Sequence, residues 1–233
     1  MKEDSPAPMK RIQGVILDLD GTFLDSNDSR AEAWAEALSE AGHPVGVKQT
    51  RPLVGMVPHD LLTRLVGFGE DTEEGRRIRD RARNIFVRRY TSRLVPTYRA
   101  QELLRRIEDN GTKIGVVSVD PAEVLLPLLK LLGAEGLVHR ASFPPAEGIA
   151  TARDLLKAAA DRIGTPLNRT ALIADAPHDV DVANKLGLAV VALASGGFSK
   201  ASLKGAAEIH ADARTLLADF DSSVLNAAEG RAA

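Results

Sequence analysis

Four short, nearly continuous apolar runs constrain the fold of this 233-residue chain more than any other feature. They are GVILDLD at 14–20, KIGVVSV at 113–119, TALIAD at 170–175 and LAVVALA at 188–194, and GLVHRAS at 136–142 is a weaker candidate. Such runs, rich in Val, Ile and Leu, are typical of parallel strands that are buried on both faces. Helical patterns separate them, so the sequence predicts an α/β fold, an open parallel sheet with helices on both faces.

Roughly 90 residues separate the first two apolar runs, whereas a crossover between parallel strands needs only about a dozen. The segment carries mostly helical patterns, and the last of them, at 99–111, suffices as the crossover helix. The earlier patterns are surplus to the sheet, so we expect a small helical cap domain inserted at 25–93. The α/β core domain would comprise residues 1–24 and 94–222, and residues 223–233 would form a flexible C-terminal tail.

The segment after the second apolar run, DPAEVLLPLLKLLG, predicts a helix with well-marked ends. Asp120 is a good N-cap residue, and Pro121 suits the first helical position because no N–H is needed there. Glu123 lies three residues after the cap, as in a capping box. Gly133 is expected to end the helix, since glycine readily adopts the left-handed conformation of a C-terminal cap.

Composition excludes several classes of function. The chain has no cysteine, which excludes disulfides, thiolate metal sites and a cysteine nucleophile. Its formal net charge is −2, and no apolar run approaches the roughly 20 residues that span a bilayer, so we expect neither nucleic acid nor membrane as a partner. The arginine-rich stretch GRRIRDRARNIFVRRY has few aromatic residues and is expected to be a solvated helix. The polar N-terminus does not resemble a signal peptide, so we expect a cytoplasmic protein, either a monomer or a homodimer.

Two carboxylates end the first apolar run. Asp18 and Asp20 are two residues apart in a strand, so their side chains point the same way. Gly21 follows them and permits a sharp turn and the close approach of a ligand to the backbone. In open α/β sheets, ligands bind beyond the carboxyl ends of the strands, near the point where the strand order switches. We therefore expect both carboxylates to face one pocket.

Other polar residues follow the neighbouring runs. Ser118 ends the second run, Asp175 ends the third clear one, and Asp179 lies one helical turn further on. Four carboxylates from two strand ends repel one another unless a cation joins them, and such oxygen ligands suit Mg²⁺. With a metal bound, one aspartate of the first pair serves as a nucleophile and the other as a proton shuttle. Any one of these aspartates alone is more simply explained as a cap of a loop or a helix. The joint pattern of four therefore indicates an active site.

These motifs resemble those of the haloacid dehalogenase superfamily, specifically its phosphatase branch with an inserted helical cap. The first motif of that family, D-x-D-G-T, is matched by DLDGT at 18–22, and the second by the serine of VVSVD. The fourth is matched by ADAPHD at 174–179, with Ala174 in the usual glycine position. The resemblance spans about residues 12–218 and implies a Rossmann-like core with a cap, of the phosphoglycolate phosphatase or β-phosphoglucomutase type.

The resemblance implies a role for each matching residue. Asp18 would be the nucleophile that forms an aspartyl-phosphate, and Asp20 would protonate the leaving oxygen and then activate water. Mg²⁺ would be held by Asp18, by the backbone carbonyl of Asp20, and by Asp175 and Asp179. Ser118 would hold the phosphoryl oxygens. Dehalogenases of the family lack the second aspartate because a halide leaves without a proton, so Asp20 favours phosphoester chemistry.

Further residues are expected to contact the substrate. In capped members of the family the insertion chooses the substrate, and VGMVPHD is the part of it most suited to face the pocket. The predicted substrate contacts are Gly21, Thr22, Arg51, Met56, His59 and Val119. A lone histidine such as His59 is, however, more often a surface or capping residue.

One motif of the family has no match in this chain. The family places a lysine ahead of the helix that precedes TALIAD, where it holds the nucleophile and the phosphate together, and its place here falls near Ala150. No lysine or arginine occurs between Arg140 and Arg153. Arg153 is the best substitute, and Lys157, a turn further along, is more simply a solvated helix residue. Losing one such preorganised contact typically costs about 10²–10³ in rate.

The sequence therefore predicts a Mg²⁺-dependent phosphatase that acts on a small phosphorylated metabolite, such as phosphoglycolate or a sugar phosphate. A phosphomutase of the same family is a neighbouring alternative. A weakly active or inactive binding protein on a phosphatase fold is a second alternative, which the missing lysine supports.

Overall fold

The fold is built around a six-stranded parallel sheet with the strand order β3-β2-β1-β4-β5-β6. The computed structural model describes residues 11–226 except 146 and 147. The strands are β1 (Gly14–Leu17), β2 (Lys113–Val117), β3 (Ala141–Ser142), β4 (Thr170–Ala174), β5 (Ala189–Leu193) and β6 (Glu208–His210). The four clear apolar runs of the sequence form β1, β2, β4 and β5, which confirms the predicted parallel sheet.

Helices cover both faces of this sheet, as predicted. On one face, Val15 and Leu17 of β1 belong to an apolar cluster that also contains Leu103. On the other face, Ile16 packs in a second cluster with Leu156. Successive strand side chains point to opposite faces, so β1 is buried on both sides. The helices around the sheet are α5 (Ala100–Asp109), α6 (Ala122–Leu131), α7 (Ala152–Ile163), α8 (Pro177–Leu186) and α9 (Ala213–Ala218).

The strand order switches direction beside β1. The chain runs from β1 to β2 and β3 on one side, and then returns to place β4, β5 and β6 on the other. β1 therefore pairs with both β2 and β4. In sheets of this kind a crevice forms beyond the carboxyl ends of the strands at the switch point, so the ends of β1 and β4 mark the place for a ligand.

Four α-helices lie between β1 and α5, where the insertion was predicted. They are α1 (Asn27–Glu40), α2 (Val47–Thr50), α3 (Pro58–Val66) and α4 (Glu73–Arg89). The two segments that join them to the sheet run side by side, because the Asp25 N–H donates to the Val95 carbonyl at 3.1 Å and the Thr97 N–H to the Phe23 carbonyl at 2.9 Å. The inserted helical cap is thus confirmed, and its bounds at 25 and 93 stay a prediction.

The outer strands of the sheet differ from the prediction. The run at 136–142 is not a strand throughout, because Glu135–Arg140 forms a 3₁₀ helix and only Ala141–Ser142 pairs with β2. The polar His139 and Arg140 interrupt the apolar run, and the 3₁₀ helix still buries Leu137. The edge strand β6 escaped prediction because only one of its three residues is apolar.

The C-terminal segment is packed further than predicted. Residues from 223 onward were expected to form a flexible tail, but Val224 and Leu225 are buried. The Val224 N–H also donates to Oε1 of Glu208 at 2.6 Å. A single pair of apolar residues is too short a signal to indicate packing in the sequence. The rest of the predicted tail, 227–233, lies outside the described residues.

The helix after β2 begins one residue later than predicted, and Asp120 does not cap it. α6 starts at Ala122, and Pro121 occupies the N-cap position. The Asp120 carboxylate instead forms ion pairs with Arg30 and Arg83, because a buried carboxylate is stabilised more by charged donors than by a helix N–H. The predicted end is confirmed, since Gly133 follows the helix with a φ of +66°.

The arginine-rich stretch forms α4, and many of its guanidinium groups pair within the chain. The pairs are Arg79–Glu70, Arg81–Glu40, Arg83–Asp120 and Arg89–Glu36. The positive charge of this helix is therefore largely matched by carboxylates of the same molecule. Within the described part of the chain, no helix combines the length and the apolar character that crossing a membrane would require.

Candidate active site

Three of the predicted carboxylates meet at the carboxyl ends of β1 and β4. Asp18 follows β1, Asp175 follows β4, and Asp179 lies in the first turn of α8. The two strands pair in parallel, and the Asp18 N–H donates to the Ile173 carbonyl at 3.0 Å, which places the strand ends side by side. Carboxylate oxygens of the three aspartates lie within 4.8 Å of one another.

The electrostatics of this cluster favour a bound cation. Burial, followed by the charges of Asp179, Asp175 and Asp20, raises the pKa of Asp18 well above its ordinary value. Burial and the charge of Asp179 raise the pKa of Asp175 to about 7. Burial likewise raises the pKa of Asp179 to about 7. The aspartates resist ionising together, and a set of hard oxygen donors at this spacing fits a divalent cation such as Mg²⁺.

Neighbouring groups hold Asp175 in place. Asn27 donates from Nδ2 to Oδ2 of Asp175 at 2.8 Å, and Thr22 donates from Oγ1 to Oδ1 at 3.3 Å. Two glycines leave room for the carboxylate. A Cβ atom on Gly21, whose φ is +74°, would lie 2.5 Å from Oδ2 of Asp175, and one on Gly196 would lie 1.6 Å from the same oxygen. The loop after β5 therefore borders the site.

Asp20 is held by a different set of donors. Arg30 binds it with two parallel contacts, from Nε to Oδ1 at 3.1 Å and from Nη2 to Oδ2 at 3.1 Å. The Ser26 hydroxyl also donates to Oδ1 of Asp20. Such a forked contact fixes the plane of the carboxylate as well as its position. Arg30 thus orients the predicted proton shuttle.

The same arginine connects Asp20 to a second ion pair. Nη1 of Arg30 lies 2.5 Å from Oδ2 of Asp120, and Nε of Arg83 donates to Oδ1 of Asp120 at 3.1 Å. We call Asp20, Arg30, Asp120 and Arg83 the ion quartet. The side chains of Arg30 and Asp120 are only 10% and 8% exposed, and the Arg30 guanidinium lies 3.5 Å from the centre of the Phe86 ring.

The ion quartet joins the inserted helices to the sheet. Arg30 belongs to α1 and Arg83 to α4, whereas Asp20 and Asp120 follow β1 and β2. Burial alone would raise the pKa of Asp120, but the charges of Arg30 and Arg83 outweigh it and hold that pKa below its ordinary value. The pKa of Arg30 is raised because Asp120 and Asp20 outweigh the effect of its burial. Arg30 and Asp120 are therefore both charged near neutral pH.

Two adjoining clefts open beside these residues. The first, which we call the apolar cleft, is a narrow cleft that opens to solvent and has a cavity volume of about 30 Å³. Its polar lining consists of Asp18, Asp20, Asp179 and Ser118, and its apolar lining includes Val57, Val117, Val119, Leu125, Leu128, Ala152, Leu155 and Leu156. The second, which we call the arginine cleft, is lined by the ion quartet together with Trp34, Met56, Arg79, Phe86 and Val119.

Only some of the residues that were predicted to contact the substrate line these clefts. Ser118 lines the apolar cleft, where its Oγ donates to the Asp120 carbonyl at 3.1 Å and accepts from the Asp120 N–H at 3.0 Å. Val119 lines both clefts, and Met56 lines the arginine cleft. Thr22 is buried and donates to Asp175, and also to Oδ2 of Asp18 at 3.4 Å.

Arg51 and His59 line neither cleft. Arg51 donates from Nη2 to the Gly196 carbonyl at 2.6 Å, and its Nε lies 2.5 Å from Oδ1 of Asp28. His59 lies against Gly69 inside the insertion, with Nδ1 3.6 Å from Oδ1 of Asp71. Both side chains thus have partners within the protein, and their contact with a substrate stays a prediction.

The wall near the expected lysine position is apolar. Ala150 is buried and packs in a small cluster with Val57 and Leu155. Arg153 and Lys157 are exposed on α7, which lines the cleft with other residues. The structure thus does not bring Arg153, the expected substitute for the lysine, to the carboxylates. No lysine, arginine or histidine lines the apolar cleft in the described part of the chain.

Sequence reasoning missed several supporting residues, namely Asn27, Arg30, Arg83 and His178. Asn27 and Arg30 follow the first motif closely, yet nothing in a helical pattern distinguishes an inward-facing arginine from a solvated one. His178 lies between the two aspartates of the fourth motif and the loop at Gly55, where its Nε2 is buried without a hydrogen-bond partner. Burial lowers the pKa of His178 to about 4, so its imidazole is neutral.

Comparisons with known proteins agree with this geometry. A model of the haloacid dehalogenase-like hydrolase family matches residues 12–187. The chain is 26% identical over 201 residues to a phosphoglycolate phosphatase of Pseudomonas savastanoi pv. phaseolicola, covering 78% of this chain and 69% of that protein. It is 28% identical over 199 residues to a phosphoglycolate phosphatase of Xanthomonas campestris pv. campestris, covering 79% and 84%.

The fold also has a counterpart among solved structures. A hydrolase from Pseudomonas syringae superposes with a TM-score of 0.80 at 24% sequence identity, covering 90% of this chain and 98% of that one. At this identity the likeness concerns the fold alone. It extends over the sheet and the inserted helices together.

Proposed function

We propose that this chain, which belongs to the haloacid dehalogenase-like hydrolase family, is a Mg²⁺-dependent phosphatase that hydrolyses a small phosphate monoester. One observation carries the proposal: Asp20, held by Arg30, lies beside the cluster of Asp18, Asp175 and Asp179. A phosphate ester needs both a nucleophile and a proton donor for its leaving oxygen, and this arrangement offers both. The phosphoglycolate phosphatases among its relatives support the same class of reaction.

In the proposed reaction, a carboxylate oxygen of Asp18 attacks the phosphorus atom. A new oxygen–phosphorus bond forms, and the bond between phosphorus and the ester oxygen breaks. Asp20 gives its proton to the departing oxygen, so that the alcohol leaves neutral. Water then attacks the phosphorus of the aspartyl-phosphate, Asp20 takes up the proton, and inorganic phosphate leaves with Asp18 restored.

The surrounding residues would hold these groups in position. Asp18, Asp175, Asp179 and the backbone carbonyl of Asp20 would bind Mg²⁺, which when bound offsets the negative charge of the phosphate and of the carboxylates. Arg30 keeps the carboxylate of Asp20 oriented through its forked contact. Ser118 directly follows the carboxyl end of β2, where its hydroxyl would donate a hydrogen bond to a phosphoryl oxygen.

A weakly active enzyme is a second candidate, and the apolar wall around Ala150 favours it. If no cation other than those of the described residues reaches Asp18, the transition state loses one preorganised contact, which typically slows turnover by about 10²–10³. A phosphomutase would share the chemistry of Asp18 and Asp20 but would return the phosphoryl group to the sugar. These alternatives differ in rate and in product, so one set of assays separates them.

The test is phosphate release from phosphoglycolate, sugar phosphates and simple alkyl phosphates, with and without Mg²⁺. We expect release that requires Mg²⁺ and falls by about 10³ or more in Asp18→Asn. Asp181→Asn is the matched control, because Asp181 lies on the same helix as Asp179 but its side chain is 61% exposed, and it should behave like the parent.

Each other result points to a different conclusion. Full-rate release in Asp18→Asn would refute the nucleophile assignment, and release without Mg²⁺ would refute the metal requirement. Retention of the phosphoryl group on a sugar would indicate a mutase. Saturable binding of a phosphate ester with no release would indicate a binding protein.

A further inference from the structure

We propose that the alcohol part of the substrate is uncharged and largely apolar, and that esters carrying a second negative group are poor substrates. This inference rests on the phosphatase function proposed above and concerns the same site. It is drawn from the lining of the two clefts and from the pairing of every arginine that faces them.

The apolar cleft offers a hydrocarbon surface directly beside the reacting carboxylates. Its walls come from the insertion at Val57, from the end of β2 at Val117 and from α6 and α7, whose contributions are Leu125, Leu128, Leu155 and Leu156. Its polar atoms lie together at the strand ends, where the phosphate would sit. Each methylene of a substrate that becomes buried against such a wall should improve binding by roughly fourfold.

Among the described residues that line the arginine cleft, every guanidinium group is already paired with a carboxylate. Arg79 lies 2.8 Å from Oε2 of Glu70 and 2.9 Å from Oδ1 of Asp80. Arg83 lies 3.1 Å from Asp120 and 3.3 Å from Asp80. Arg30 is bound to Asp20 and Asp120. Three guanidinium groups thus face four carboxylates, and a further carboxylate would have to displace one of them.

Arg51, at the rim of the site, does not change this balance. Arg51 is the nearest predicted candidate, but it binds Asp28 and the Gly196 carbonyl and lines neither cleft. A substrate carboxylate, such as that of phosphoglycolate, would therefore lose its water without gaining a charged partner. Burying a charge in this way is costly, whereas an alkyl group in the same place gains from leaving water.

The experiment compares two esters of nearly equal shape. Isobutyl phosphate and phosphoglycolate both carry a branched group one carbon from the ester oxygen, and the branch is dimethyl in one and carboxylate in the other. With Mg²⁺ present, we expect kcat/KM to be higher for isobutyl phosphate by about tenfold or more. In the series from methyl to butyl phosphate, kcat/KM should rise with each methylene until the cleft is filled.

A variant of the cleft wall separates the effect of substrate recognition by the protein from the intrinsic reactivity of the two esters. Val119 lines both clefts and is only partly buried, so Val119→Lys adds a cation to the wall. The ratio of kcat/KM for phosphoglycolate to that for isobutyl phosphate should rise by about tenfold relative to the parent. Val119→Met has a side chain of similar length without charge, and it should leave that ratio unchanged.

The outcomes distinguish this inference from the function on which it rests. Hydrolysis that favours phosphoglycolate over isobutyl phosphate in the parent chain would overturn the inference and leave the phosphatase function standing. An unchanged ratio in Val119→Lys would also count against it. Failure to hydrolyse any monoester would overturn the phosphatase function, and the inference with it.

Discussion

Replacing Asp120 by alanine is expected to destabilise the folded chain by about 3 kcal/mol, because the change removes the carboxylate that Arg30 and Arg83 share. The two ion pairs are short, at 2.5 Å and 3.1 Å, and the Asp120 side chain is only 8% exposed. Two guanidinium groups would then lack a partner at a position where water reaches them poorly. The insertion would lose part of its attachment to the sheet.

The magnitude follows from the partners that remain. Breaking a buried ion pair by removing one partner typically costs about 3–5 kcal/mol. Here Arg30 retains Asp20, and Arg83 retains Asp80 at 3.3 Å, so the lower end of that range applies. If Asp120 were only a helix cap, as its sequence position suggests, its loss would cost about 1 kcal/mol. The two interpretations of this residue therefore differ by about 2 kcal/mol.

The assay is urea denaturation of the parent and of three variants. Asp120→Ala should lower the midpoint with little change in slope, and thermal unfolding should show a fall of about 6–12 °C. Asp120→Asn keeps the shape of the side chain but not its charge, so its denaturation midpoint should lie between those of the parent and Asp120→Ala. Asp80→Ala is the matched control: Asp80 also pairs with Arg83, but its side chain is 50% exposed, so its loss should cost less than about 1 kcal/mol.

Equal effects of Asp120→Ala and Asp80→Ala on the free energy of unfolding would refute this reasoning. That result would mean that burial adds nothing to the Asp120 pairs. If Asp120→Ala lowers the free energy of unfolding by only about 1 kcal/mol, Asp120 acts as no more than a helix cap.

Three further predictions concern the site. Arg153→Ala and Lys157→Ala should each leave kcat/KM within about twofold of the parent, because both side chains are exposed outside the cleft, and a large loss would restore Arg153 as the substitute cation. Ala150→Lys should raise the rate of phosphate release by about tenfold because it supplies a missing cation, whereas Ala150→Met, whose side chain is of similar size, should not. Equal rates for the two variants would show that no cation is missing. Burial raises the pKa of Asp175 and Asp179 to about 7, so the folded metal-free chain holds protons more tightly than the unfolded chain and should lose stability as pH rises from about 4 to 8. Mg²⁺ needs the ionised carboxylates and should raise the melting temperature more at about pH 8 than at about pH 5, and the opposite order would contradict these pKa values.

The carboxylates of the site were predictable because each follows an apolar strand directly. Asp18, Asp20 and Asp175 take their positions from β1 and β4, and the parallel sheet brings neighbouring strand ends together. Asp179 needs only one turn of helix beyond them. A local pattern therefore suffices to bring these groups to one edge of the sheet.

The partners of long charged side chains were not predictable in this way. Arg153, Arg51 and His59 were expected near the substrate, yet the first is exposed and the other two are bound outside the clefts. Arg30 and Asp120 were given no part in the site, and they lie buried beside Asp20. Such side chains have many rotamers and reach groups on several elements, so sequence position alone does not select their partner.

The amino-acid sequence alone predicts the parallel sheet, the inserted helices and the carboxylates at the ends of β1 and β4, because each depends on residues close together in the chain. Which charges meet, and which wall of the cleft is apolar, depends on how distant elements pack. Ion pairing depends on distance and burial between elements far apart in sequence, and in this chain Arg30 and Arg83 meet Asp120 only after the insertion packs on the sheet. That packing matches the arginines of the arginine cleft with carboxylates and places apolar residues beside Asp18 in the apolar cleft.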